Sequence, residues 1–140
     1  MPSHAFSLDP QAVTDYQAQG AVIIRAALSP DEVQLLSQGI EHNLAHLSPL
    51  ALVASLPDDP GRFVEDFCTW QSNPAYQKIL RDSALPSIAK QLMQSETVRI
   101  YHDHMLVKEA ATRQPTPWHQ DQPYYNISGQ QNVSFWIPVD

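Results

Sequence analysis

Near residue 96 the spacing of apolar side chains changes from a helical to a strand-like period. This break restricts the chain to folds in which helices come first and a sheet follows. Upstream, Val33, Leu36, Ile40, Leu44 and Leu47 recur at intervals of three and four residues. They follow Ser29-Pro30-Asp31-Glu32, a capping box with proline at the first helical position. The spacing predicts a helix over 29–47 that packs on a sheet through Val33, Leu36, Ile40 and Leu44. Asp9-Pro10 and Gly20 bracket an earlier helix, with Val13 and Tyr16 on one face. Residues 75–82 and 85–94 read as two short helices, the second carrying Leu85, Ile88 and Leu92 on one side. Residues 21–25 (AVIIR) form a short strand candidate, 47–61 a proline-spotted connector, and 63–70 an extended stretch.

Downstream, 98–107 (VRIYHDHMLV) is rich in β-branched and aromatic residues, and 116–121 and 132–139 continue in that style. Val133, Phe135, Ile137 and Val139 alternate with Ser134 and Trp136, as in a half-buried strand. The order predicts an α+β domain whose helices buttress one face of an antiparallel sheet. Residues 1–96 would supply mostly helical support and 97–140 the start of the β core. Three late strands are too few to close a sandwich or barrel. The 140 residues therefore read as the N-terminal portion of one domain, truncated after its first core strands.

Composition narrows the function. A net charge of −7 argues against a broad nucleic-acid-binding face and against a polybasic membrane patch. No apolar run approaches the ~20 residues of a membrane span, and MPSHAFSLDP lacks the pattern of a signal peptide. Cys68 has no second cysteine to pair with and reads as a small buried hydrophobe, which fits a reducing cytoplasm.

Three groupings bear on chemistry. His42 and His46 lie four apart on the main helix, but a zincin pattern would need Glu where Asn43 stands. The pair reads as two histidines favoured by the negative end of the helix dipole. His102 and His104 with Glu109 have the HxH(x)4E spacing of a cupin metal site, without the glycines that accompany it. His119-Gln120-Asp121 is the third. In a strand, alternate side chains share a face, so an imidazole and a carboxylate one residue apart can hold adjacent positions on a divalent ion. Trp118 before the pair, and Tyr124 and Tyr125 after it, suit a partly dry pocket.

With these residues the sequence resembles the phytanoyl-CoA dioxygenase family of Fe(II)/2-oxoglutarate oxygenases. The similar pieces are YHDHMLVK at 101–108, TPWHQD at 116–121, Tyr124 and VSFWI at 133–137, with a similar opening from Gly20 to Val33. The resemblance implies a double-stranded β-helix, a jelly-roll of cupin type. It implies Fe(II) held by His119 and Asp121, with Met105 and Trp136 beside 2-oxoglutarate. No catalytic residue beyond the metal ligands is implied. Lys108 matches a recurrent family lysine of underived role. The resemblance places a distal His, which completes the ligand set, and an Arg for the far carboxylate of 2-oxoglutarate beyond Asp140. The implied activity is a dioxygenase that uses O2 to hydroxylate an unactivated C–H of a small organic substrate or acyl thioester. The 140 residues alone would bind Fe(II) weakly and not turn over. The alternative is a noncatalytic cupin-like metal-binding or interaction module. Neither substrate identity nor oligomeric state is legible.

Overall fold

The computed structural model describes residues 6–140. Residues 1–5, which include part of the stretch read as lacking a signal peptide, lie outside the described residues. Among the described residues four α-helices precede or flank a small sheet: α1 (Pro10–Gln19), α2 (Pro30–Ala45), α3 (Pro74–Asp82) and α4 (Leu85–Leu92). The strands are β1 (Leu52–Val53), β2 (Phe63–Phe67) and β3 (His104–Lys108), and a 3-10 turn, η1, spans Gln122–Tyr124. No described helix is long and apolar enough to cross a membrane.

Local sequence explains the helix boundaries. Asp9 accepts from the Gln11 amide at 2.8 Å, and Gly20, at φ 78°, returns its N–H to the Tyr16 carbonyl. Ser29 and Glu32 form the reciprocal capping box. Asn73 accepts from the Ala75 and Tyr76 amides while its own amide donates to the Gly39 carbonyl at 2.9 Å. One side chain thus caps α3 and ties it to α2.

The expected packing of α2 needs correction. Val33, Leu36, Ile40 and Leu44 are half-buried, and the deepest residues are Gly39 and Asn43. The helix lies mainly against α3, not the sheet. The reason is Gly39: without a side chain there, Ala75 and Tyr76 come so close that an added Cβ would meet both at 2.9 Å. Only the C-terminal end of α2 reaches the sheet, where Asn43 donates to Asp66 on β2 at 2.7 Å.

The sheet is antiparallel with β2 in the centre. Two of its strands come from 52–67, so β1 falls inside the stretch expected to be a connector. Of the late strands, only His104–Lys108 forms a ladder. Residues 21–25, 98–103, 116–121 and 132–139 carry no strand. A strand needs a neighbour to take its backbone hydrogen bonds, and apolar alternation alone does not supply one. Residues 21–25 instead lean on the helical core: Val22 and Ile24 pack there, and Ile23 faces solvent. That core joins Leu8, Ala84, Ile88 and Leu92, with Val13, Tyr16 and Val133 against it.

Strand alternation gives the sheet two faces. Val64, Asp66, Met105 and Val107 share the face that Asn43 reaches from α2. Phe63, Glu65, Phe67, His104, Leu106 and Lys108 share the other. Cys68, expected to be buried, is exposed. It follows β2 at φ 57°, and its amide donates to the Asp103 carbonyl, so the turn directs the thiol outward.

Candidate metal centre

The chain leaves β3 through a tight exit. Gly61 lies against it so closely that a Cβ would meet the Ala110 carbonyl oxygen at 2.3 Å, and Arg62 grips Glu109 through Nε at 2.9 Å. After this exit, residues 113–121 have no helix or strand. They bring His119 and Asp121 together nonetheless: Nε2 of the imidazole is 3.2 Å from Oδ1 of the carboxylate. Strand alternation is not the cause. Asp121 is in the right-handed helical region (φ −72°, ψ −37°), where it opens η1 and its carbonyl accepts from Tyr124 N–H at 2.9 Å. The turn swings the carboxylate back beside the ring.

The other ring nitrogen fixes the chemistry. His119 Nδ1 lies 2.8 Å from the Pro117 carbonyl oxygen, which can only accept. Nδ1 therefore carries a proton, and Nε2 is the ring nitrogen turned to the carboxylate. A ring nitrogen and a carboxylate oxygen at this distance call for a shared proton or a cation between them. Two cis ligands, each about 2.1 Å from an octahedral ion, are themselves about 3.0 Å apart. The observed separation matches, and an imidazole tied through its far nitrogen is the usual arrangement of a metal-ligating histidine.

The setting is more open than expected. The two side chains are 44% and 49% exposed, and Trp118 and Tyr124 are also exposed. Two clefts among the described residues lie away from the pair, one lined by Phe6, Ser87 and Gln91, the other by Pro74, Gln77 and Arg81. Among the described residues no group of three His, Cys, Asp or Glu side chains converges as a metal site.

The remaining candidates are dispersed. His104 stacks on Phe67 with centroids 4.0 Å apart, and its Nε2 is 3.4 Å from Glu65 Oε1. Burial holds its pKa below the ordinary histidine value, against the pull of the Glu65 and Asp121 carboxylates. His102 packs edge-on against Tyr101 and Tyr125. Glu109 is taken by Arg62, so the cupin-type grouping of His102, His104 and Glu109 is not assembled. His42 and His46 stack at 4.5 Å on the exposed end of α2. Met105 is buried on the sheet face toward the helices, whereas Trp136 is 91% exposed.

The phytanoyl-CoA dioxygenase (PhyH) family model matches residues 16–140. The chain belongs to the phytanoyl-CoA dioxygenase family. No curated protein and no solved structure matches it. The family is in general one of Fe(II)/2-oxoglutarate-dependent oxygenases. The HxD pair is the candidate ligand grouping that the described residues bring together. Sequence reasoning missed two contacts around that pair, Lys108 to Thr116 and Tyr101 to Asn126. Neither has a local pattern that would reveal it.

Proposed function

We propose that this chain supplies the His119–Asp121 face of an Fe(II)/2-oxoglutarate-dependent dioxygenase that hydroxylates an unactivated C–H of a small organic substrate or acyl thioester. The observation that carries the reading is the 3.2 Å approach of Nε2 to Oδ1, with Nδ1 tied to Pro117. Bound iron supplies activation of O2 coupled to decarboxylation of 2-oxoglutarate. The chain's own part is to present two cis donors and to keep the imidazole in the tautomer that leaves Nε2 free. Trp136, exposed and seventeen residues after His119, offers an aromatic face to the co-substrate. By the family resemblance Met105 also stands beside the co-substrate. By the family resemblance a distal His and an Arg beyond Asp140 complete the set. The jelly-roll core is part of the same proposal.

A second reading has one observation in its favour. Only two donors converge among the described residues, as a noncatalytic metal-binding or interaction module would also show. Anaerobic titration with Fe(II) and 2-oxoglutarate separates the two. A charge-transfer band and succinate formation, both lost in His119→Ala and Asp121→Ala, support the oxygenase. Metal binding with no band and no succinate in the full-length protein supports the module.

A further inference from the structure

We propose that Lys108 is a positioning residue for the His119–Asp121 pair, acting through Thr116. The inference rests on the reading of that pair as metal ligands. Lys108 ends β3 and is the register partner of Phe63. Its ammonium sits 4.6 Å above the Phe63 ring centroid, and that ring is only 4% exposed. A cation over a core-held aromatic face has a preferred location, unlike a lysine extended into solvent. From there Nζ donates to Thr116 Oγ1 at 2.8 Å.

Thr116 is a consequential place to hold. It stands between Pro115 and Pro117, so its own backbone is confined to extended conformations and both neighbours have fixed φ. The carbonyl of Pro117 is the acceptor for His119 Nδ1. Anchoring Thr116 therefore anchors, through a stiff dipeptide, the oxygen that selects the tautomer and orientation of the imidazole. Apart from the Pro117–His119 bond, no other hydrogen bond among the described residues ties residues 114–118 to the rest of the fold. Neighbouring contacts act earlier: Arg62 holds Glu109, and Asp59 accepts from the Arg113 amide at 3.3 Å. The lysine extends from the sheet face that also carries His104.

Fe(II) affinity of the full-length protein, titrated anaerobically with the metal alone, tests this in Lys108→Met, Thr116→Val and the double variant. Each single change is expected to weaken binding about tenfold, as loss of an outer contact to a metal-ligating histidine does. The double variant should be no weaker than either single, because both remove one interaction. Lys108→Arg should restore most of the affinity. A second readout needs no metal: imidazole ¹⁵N shifts of His119 in the apo protein should report the Nδ1–H tautomer in the wild type and a mixture in Thr116→Val. Wild-type affinity and tautomer in the single variants overturn the inference, as do additive losses in the double. His119→Ala is the control. If it leaves Fe(II) affinity unchanged, the ligand reading itself fails. If it abolishes binding while Lys108→Met does not weaken it, only the role of Lys108 fails.

Discussion

Asn43 on α2 donates its side-chain amide to the carboxylate of Asp66 on β2 at 2.7 Å, and Asp66 is fully buried. The same carboxylate accepts from the Ser48 amide at 2.8 Å, the Ser48 hydroxyl and the Phe67 amide. One anion thus joins the end of α2, the turn after it and the central strand. Burial pushes its pKa up, but the donors outweigh this and hold it below the ordinary aspartate value.

Asp66→Ala should cost about 3 kcal/mol or more, since it strands several buried donors at once. The pH dependence has a definite sign. A carboxyl with a lowered folded pKa stabilises fully above the unfolded value of about 3.9, and the contribution is lost as pH falls through the lower folded value. Urea midpoints measured down the acid limb should fall for the wild type and be flatter for Asp66→Asn.

Tyr76 carries a hydroxyl that is buried without a hydrogen-bond partner. Burial, with the Asp103 and Asp66 charges nearby, raises its pKa well above the ordinary tyrosine value. An unsatisfied buried hydroxyl is a net cost, so Tyr76→Phe should be stabilising, by about 1 kcal/mol. A lower melting temperature in that variant would show that the hydroxyl has a partner in solution.

Gly39→Ala is favourable by helix propensity, by about 1 kcal/mol. Here it should destabilise, because the new Cβ meets Ala75 Cβ and the Tyr76 ring at 2.9 Å. Overpacking of this kind costs about 1–3 kcal/mol, and α2 would have to move off α3 to relieve it. Equilibrium unfolding of the variant, compared with Ser37→Ala on the same helix, checks the sign.

His104 gives a second pH effect. Burial favours its neutral form in the fold, so the unfolded chain binds more protons just below the ordinary value of about 6.5. The contribution is fully present above that value and is lost as pH falls through it toward the lower folded pKa. His104→Phe keeps the stack on Phe67 and removes the titration. The drop in unfolding midpoint between about pH 7.5 and about pH 5.5 should shrink in this variant. An unchanged drop would place the titrating group elsewhere.

The sequence by itself determined what is settled within a few residues of chain. The caps at Asp9, Ser29 and Gly20, the buried stripe Leu85–Ile88–Leu92, and the short link between His119 and Asp121 are of this kind. A helix satisfies its backbone internally, so its ends and its apolar face are written locally. Tertiary structure alone decided which extended segments became strands, because a strand's hydrogen bonds belong to a distant partner. It placed β1 inside a presumed connector, left 132–139 without a ladder, and turned Cys68 outward. It also brought His119 and Asp121 together by a helical turn at Asp121 instead of by strand alternation. Lys108 and Thr116 met for the same reason: the β2–β3 register and the exit past Gly61 put them within reach, and no spacing rule links two residues eight apart across a loop.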